Sequence, residues 1–183
     1  MPDKKTSRQD MTTRLKALSS QARQAKSLAI GDKLFGLENF KRARCVCFYV
    51  SLPLEVDTGF MIDKALSLGK TVCVPLSDSK TLELTLYQIQ SRDDLQKGAW
   101  GIQEPAADSA RHVPAGKVDC VVVPGVVFDR ENHRIGKGKV FYDRFLAKLN
   151  PDTFKVGLAF DFQVVDKISN DPHDKKCDLV LTD

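Results

Sequence analysis

The sequence predicts one three-layer α/β/α domain with a mostly parallel central sheet, and two observations support this fold class. Apolar runs of strand length alternate with segments in which apolar residues recur every three or four positions. The chain has 183 residues, of which 42% are hydrophobic, with 28 Lys and Arg against 24 Asp and Glu. A domain of this size buries roughly 70% of its unfolded surface, so it needs no disulfide or structural metal. We therefore assign residues 1–183 to a single domain.

Two amphipathic helices are expected in the first 37 residues. Apolar side chains recur at helical spacing from Met11 to Leu37, and Ser19 and Ser20 interrupt the pattern. Ser20 is the expected cap of the second helix.

The next segments predict a parallel strand–helix–strand unit. Residues 45–52 form a continuous apolar and aromatic run, which is typical of a buried strand. Asp57 can cap a helix that ends at Gly69, and residues 71–76 supply the second strand. Two strands joined in this way pair in parallel through a right-handed crossover.

The second half of the chain continues the alternation. Residues 82–89 alternate apolar and polar side chains, which indicates a strand at an edge or in an antiparallel pair. Residues 118–128 form the most hydrophobic run, so they predict the central strand. The remaining predicted segments are a surface connection over 103–117, a helix over 141–149, and strands over 153–160 and 178–183.

Composition restricts the class of protein. No window approaches 18 uninterrupted apolar residues, so we expect neither a membrane span nor a secretory signal. The five cysteines are odd in number and four lie in apolar segments, which is typical of free thiols in the cytoplasm. Mitochondrial import is the weaker alternative, because Asp3 and Asp10 interrupt the basic N-terminus. The absence of a CxxC pair and the wide spacing of the histidines argue against zinc.

A glycine-rich, basic segment follows the predicted central strand. Gly136 and Gly138 alternate with Lys137 and Lys139 just before a predicted helix. Glycine lets backbone N–H groups approach phosphate oxygens, and the helix N-terminus and the lysines supply positive charge. Ligands of open α/β sheets bind beyond the carboxyl ends of the strands, so the segment predicts a polyphosphate site.

Two alternatives remain open for this segment. Its spacing matches neither common phosphate-binding glycine motif, so a plain turn with solvated lysines is an equal interpretation. An RNA-contacting loop is less favoured, because Phe141 and Tyr142 are adjacent on a helix and point in different directions. A base-stacking platform needs coplanar, exposed rings.

The same region resembles a known family. Residues 124–146, PGVVFDRENHRIGKGKVFYDRFL, resemble the signature segment of the 5-formyltetrahydrofolate cyclo-ligases, also called 5,10-methenyltetrahydrofolate synthetases. Six further segments resemble the family in order: Lys4 and Arg8 with RLKALS, then residues 49–58, 69–75, 99–105, 157–163 and 173–183. The resemblance covers nearly the whole chain.

The resemblance implies an ATP-dependent ligase of folate metabolism. ATP would phosphorylate the formyl oxygen of 5-formyltetrahydrofolate, N10 would attack the activated carbon, and ADP and phosphate would be released with 5,10-methenyltetrahydrofolate. We then expect a monomer with a reduced folate as substrate and without nucleic-acid or membrane partners. The implied ATP-binding residues are Lys4, Arg8, Arg134, Gly136, Lys137, Gly138, Lys139 and Tyr142, with Arg134 and Lys139 as catalytic cations.

The resemblance also implies a magnesium site at Asp143 and Asp178. Magnesium keeps several waters and needs only one or two protein carboxylates. Asp174 is a rival for the second position. Without the resemblance, Asp143 reads as a carboxylate that favours a helix N-terminus, and Asp178 as an ordinary residue at the end of a strand.

The implied folate-binding residues are Val50, Glu55, Trp100 and Phe141. A carboxylate such as Glu55 can accept hydrogen bonds from the amino and ring N–H groups of a pterin, and Trp100 can stack on the flat ring. The alternatives are a solvated acid and a core tryptophan. Phe141 stands where the family usually has tyrosine.

The chain departs from the family's pattern at Val140, where glycine is usual. If the loop needs a positive φ there, a β-branched residue costs roughly 1–2 kcal/mol. A catalytically weakened folate-binding or nucleotide-binding relative is therefore the alternative function.

Overall fold

The computed structural model describes residues 2–98, 101–171 and 174–183. Helices α1 to α5 span Lys4–Ala17, Ser20–Gly36, Glu38–Arg42, Gly59–Ser67 and Phe141–Ala147. Strands β1 to β12 span Cys45–Cys47, Thr71–Asp78, Glu83–Ile89, Leu95–Lys97, Gln103–Pro105, His112–Val113, Cys120–Val123, Val127–Asp129, Arg134–Ile135, Phe154–Leu158, Val164–Val165 and Leu179–Leu181.

A seven-stranded sheet with the order β12-β10-β7-β1-β2-β3-β6 forms the centre of the fold. Its first five strands are parallel to one another, whereas β3 pairs antiparallel with β2 and β6 pairs antiparallel with β3. The strands β11-β8-β9 and β4-β5 form two smaller sheets. The predicted α/β class with a mostly parallel sheet is confirmed.

Alternate residues of the central strands enter two apolar cores. In β1, Val46 belongs to the core that contains Leu34 of α2 and Met61 of α4, whereas Cys47 belongs to the core that contains Phe145 of α5. Helices therefore cover both faces of the sheet. Burial on both faces explains why these strands read as continuous apolar runs.

The predicted strand–helix–strand unit is β1-α4-β2. The two strands pair in parallel, with Cys47 opposite Cys73. At the start of α4, Asp57 accepts a hydrogen bond from the backbone N–H of Gly59 at 2.9 Å. Gly69 follows the helix with a φ of +73°, a conformation in which glycine carries no Cβ penalty.

The run over residues 118–128 is not one strand. Pro124 and Gly125 divide it into β7 in the main sheet and β8 in a smaller sheet. Proline has no N–H to donate to a ladder, so pairing stops there. The backbone N–H of Val126 then bonds to the carbonyl of Ile135, which redirects the chain.

Two smaller expectations were also wrong. Ser19 rather than Ser20 caps α2, because its Oγ accepts the N–H of Ala22 at 3.2 Å. Residues 103–117 are not only a connection, since they contain β5 and β6. The latter strand covers β3, so of the two alternatives predicted for residues 82–89 the antiparallel pair is confirmed and the edge position is wrong.

All five cysteines are free and buried. Among the helices of the described residues, none combines the length and apolar character needed to cross a membrane.

Candidate active site

A cavity of about 570 Å³ opens beyond the carboxyl ends of three parallel strands. Tyr49 and Val50 follow β1, Ser77 lies near the carboxyl end of β2, and Pro124 and Gly125 follow β7. This is the edge at which open α/β sheets bind ligands. The other residues that line the cavity are Lys4, Arg8, Leu52, Glu55, Pro75, Ser79, Leu84, Ile102, Gln103, Glu104, residues 134–143, Asp171 and Asp174.

The glycine-rich segment forms one wall of this cavity. Residues 136–140 connect β9 to α5, and every one of them lines the cavity. Gly138 has a φ of +90°, and Val140 has φ +49° and ψ 3°. Val140 therefore lies in the left-handed region that a β-branched residue rarely adopts, and its side chain is 42% exposed.

Helix α1 brings two cations to the same wall. Arg8 donates from Nε to the carbonyl oxygen of Gly136 at 2.7 Å. Lys4 Nζ lies 2.6 Å from Asp171 Oδ2 and 2.5 Å from Asp174 Oδ2. Burial lowers the pKa of Lys4, but its bonds to the two carboxylates outweigh burial, and the net shift is upward. The N-terminal helix is thus fastened to both the loop and the C-terminal segment.

Arg134 is a buried cation beneath the loop. Only 2% of its side chain is exposed, and its Nη2 donates to Asp143 Oδ1 at 2.8 Å. Its guanidinium lies 5.8 Å from the ring centroid of Tyr142, and its Nε has no hydrogen-bond partner among the described residues. Burial raises the pKa of Tyr142 well above its usual value, so the phenol stays neutral.

The carboxylates are arranged differently from the sequence expectation. Asp143 and Asp174 both line the cavity, whereas Asp178 is not among its lining residues in the described part of the chain. Asp178 Oδ2 instead accepts the backbone N–H of Lys155 at 2.7 Å and pairs with Lys155 Nζ at 3.2 Å. It lies at the amino end of β12, and ligands of parallel sheets bind at the opposite end.

No group of three His, Cys, Asp or Glu side chains within residues 2–98, 101–171 and 174–183 could hold a metal ion. Asp143 and Asp174 both line the cavity, and two carboxylates are enough for Mg²⁺ when water and substrate phosphates complete its shell.

Three of the four predicted folate residues lie on the walls of the cavity: Val50, Glu55 and Phe141. Glu55 is held on both oxygens. Its Oε2 accepts the backbone N–H of Leu52 at 2.8 Å, and its Oε1 lies 2.6 Å from Lys137 Nζ. Trp100, the fourth, lies outside the described residues.

Glu104 is a cavity residue that sequence reasoning missed. It is 5% exposed, and its Oε1 accepts the backbone N–H of Ser77 at 3.3 Å. A Cβ on Gly98 would lie 2.0 Å from Glu104 Oε2, so the carboxylate needs glycine at that position. The sequence gives no signal for it, because Glu104 lies between Gln103 and Pro105 and no apolar alternation marks its face as buried.

A second cavity of about 430 Å³ adjoins the first. Glu55 and Lys137, which form an ion pair, border both spaces, and so do Tyr49, Leu52, Pro124 and Gly125. Leu15, Leu54 and Leu158 make the far side of the second cavity largely apolar.

The site therefore combines a cationic glycine-rich wall, suited to phosphate oxygens, with apolar groups and carboxylates elsewhere in its lining. Such a cavity can hold a polyphosphate beside a flat, partly polar organic molecule.

Comparison with known proteins gives a consistent result. The 5-formyltetrahydrofolate cyclo-ligase family profile matches residues 1–183. A 5-formyltetrahydrofolate cyclo-ligase of Mus musculus is 27% identical over 95% of this chain and 90% of its own. A probable cyclo-ligase of Schizosaccharomyces pombe is 32% identical over 86% of this chain and 84% of its own.

A solved structure agrees with these relatives. The 5,10-methenyltetrahydrofolate synthetase of Aquifex aeolicus superposes with a TM-score of 0.85 at 32% identity, covering 97% of this chain and 88% of that one. The synthetase of Mycoplasma pneumoniae, at 24% identity, shares the fold with a TM-score of 0.79 and 99% coverage of both chains. With the profile match over its full length, this chain belongs to the 5-formyltetrahydrofolate cyclo-ligase family.

Proposed function

We propose that this protein catalyses the ATP- and magnesium-dependent cyclisation of 5-formyltetrahydrofolate to 5,10-methenyltetrahydrofolate, with release of ADP and phosphate. One observation carries the proposal: a single cavity is lined by a cationic glycine-rich loop and also by apolar groups and carboxylates. A phosphoryl donor and a folate can therefore meet inside one space. Family membership supplies the reaction class.

The phosphate groups of ATP would bind along residues 136–140. Phosphoryl transfer depends on positioning and on stabilisation of charge rather than on a strong base. Lys139 on the loop and Lys4 and Arg8 on α1 would contact phosphate oxygens, since all three line the cavity. Arg134 reaches the site through Asp143, so we assign it to positioning that carboxylate as well as to electrostatic stabilisation.

Asp143 and Asp174 are the proposed magnesium ligands. Both are partly buried carboxylates on the phosphate side of the cavity, and Mg²⁺ completes its shell with waters and substrate phosphates. Bound Mg²⁺ would neutralise charge on the transferred phosphoryl group. We withdraw the expected role of Asp178, because its carboxylate is used at the start of β12.

The folate would lie against Val50, Phe141 and Glu55. Glu55 would accept hydrogen bonds from the pterin, and Phe141 offers an aromatic face beside the phosphate loop. In this pose the formyl oxygen accepts the phosphoryl group, N10 forms the new C–N bond with loss of its proton, and the phosphate leaves with the formyl oxygen.

A direct assay tests the proposal. Purified protein is mixed with 5-formyltetrahydrofolate, ATP and Mg²⁺, and absorbance of the methenyl product is followed, with ATP omitted as the control. ATP-dependent product formation would support the activity. Binding of both ligands without product would favour the weakened relative, a candidate motivated by the left-handed Val140. A cytoplasmic, monomeric protein without nucleic-acid partners remains a prediction.

A further inference from the structure

We propose that Lys137 is the counter-ion of Glu55 in the ligand-free protein, and that a nucleotide on the glycine-rich loop draws Lys137 away and frees Glu55 for the folate. The two substrates would then bind with positive coupling. The identity of the two ligands rests on the proposed function, whereas the exchange of partners rests on the contacts of this one ion pair.

Glu55 is the fixed member of the pair. Its side chain is 15% exposed, and the backbone N–H of Leu52, three residues earlier, holds its Oε2 at 2.8 Å. Its Oε1 is taken by Lys137 Nζ at 2.6 Å. A pterin that bonds to Glu55 must therefore compete with Lys137 for this oxygen.

Lys137 is the member that can leave. Its side chain is 51% exposed, and Gly136 and Gly138 flank it. An ion pair with one half-exposed partner contributes little net stability, because water and salt screen it. A lysine is also a mobile point charge on a flexible stem, so it can change partners without movement of the sheet.

Phosphate oxygens are the stronger competitor for this lysine. Lys137 belongs to the loop on which the nucleotide would lie, and a polyphosphate presents several negative charges to it, whereas Glu55 presents one. Once Lys137 turns to the phosphates, Glu55 keeps its bond from Leu52 but loses its cation. A mostly buried carboxylate without enough partners is costly, so it gains from the N–H donors of a pterin.

Because of where this ion pair lies, the exchange of partners would also change the shape of the cavity. Glu55 and Lys137 are two of the six residues that border both cavities, so parting them would remove part of what separates spaces of about 570 and 430 Å³. The folate then gains room on the side of Glu55 that Lys137 had covered. Because coupling is reciprocal, bound folate must strengthen nucleotide binding by the same factor.

Calorimetric titration of 5-formyltetrahydrofolate tests this inference, with and without a saturating non-hydrolysable ATP analogue and Mg²⁺. We expect the analogue to tighten folate binding about tenfold, within the usual range of coupling between sites. In Lys137→Met the factor should fall to near one, because Glu55 has no lysine to lose. Folate should therefore bind this variant without nucleotide more tightly than it binds the nucleotide-free wild type. Lys137→Arg should restore the coupling.

Two more variants isolate the pair. Lys139→Met removes a charge from the same loop and should lower the affinity for the analogue. With saturating analogue, however, the coupling factor should stay as in the wild type. Glu55→Gln should weaken folate binding and raise the analogue's affinity in the absence of folate, because Lys137 loses its competing partner. This second readout also decides the matter if Lys137→Met does not fold.

The outcomes separate the two proposals. If the wild type binds both ligands with a coupling factor of one, or if Lys137→Met keeps the wild-type factor, the exchange of partners is wrong while the proposed function stands. If the wild type binds neither ligand, the proposed function and this inference both fall.

Discussion

Replacing Val140 with glycine should stabilise the protein, and it tests whether bound nucleotide strains the loop further. Val140 has a φ of +49° and caps α5 without a side-chain hydrogen bond. An L-residue in the left-handed region costs roughly 1–2 kcal/mol, and β-branching makes valine one of the least suited. Glycine removes this penalty but costs about 0.5–1 kcal/mol through the greater freedom of the unfolded chain.

The difference predicts a net gain of about 0 to 1.5 kcal/mol in the free energy of unfolding. For a chain of this length, that gain corresponds to a rise in Tm of at most about 6 °C. The ligand-free loop already holds Val140 at positive φ, so glycine raises the analogue's affinity only if bound phosphate adds to that strain; about 1–2 kcal/mol of added strain would correspond to about 5- to 30-fold. Folate affinity without nucleotide should change little.

Thermal unfolding and calorimetric titration of an ATP analogue measure both effects, and Val140→Ala is the matched control. Alanine removes the branched methyl groups but keeps a Cβ at positive φ, so its gain should be clearly smaller than that of glycine. Equal gains would mean that bulk beside the phosphates matters, not backbone strain. A fall in both Tm and nucleotide affinity for Val140→Gly would refute the reasoning.

Three other predictions concern the proposed active site. Lys139→Ala should lower turnover about 100-fold, or about 2.7 kcal/mol, because a preorganised cation on the transferred phosphoryl group is lost; near-normal turnover would remove that role. Asp143→Asn and Asp174→Asn should raise the Mg²⁺ concentration needed for half-maximal activity, whereas Asp178→Asn should leave it unchanged. Folate binding should change the fluorescence of Trp100, the single tryptophan; flat emission after inner-filter correction would assign this residue to another role.

Periodicity predicted most elements because the central strands are buried on both faces and α2 and α4 each present one apolar stripe. It could not divide residues 118–128, since β7 and β8 are equally apolar and only Pro124 and Gly125 mark the boundary. A run of 11 residues is long for one strand, so Pro124 was the better indicator of where the strand ends than the hydrophobicity around it.

The position of the glycine-rich segment was predictable, whereas its contacts were not. A rule about the carboxyl ends of strands places a loop at an edge of the sheet, but it says nothing about which distant side chain meets it. The pairing of Lys137 with Glu55, 82 residues apart in the sequence, depends on how the loop after β1 and the loop after β9, a strand of a different sheet, approach each other. The backbone conformation of Val140, by contrast, could be expected, because the resemblance implies a glycine at this position and glycine is the usual residue at positive φ.

The choice between Asp174 and Asp178 shows how direction along a strand decides a site. Both acids lie in one short segment, and composition cannot rank them. In a parallel sheet, however, the amino and carboxyl ends of the strands lie at opposite edges, and the predicted phosphate loop fixes the ligand edge. Asp178 immediately precedes β12 and therefore lies at the amino edge, where Lys155 neutralises it. Asp174 lies earlier, on the connection that still passes the cavity and meets Lys4. The predicted strand over residues 178–183 already contained this distinction, because a residue that begins a parallel strand cannot also reach its carboxyl end.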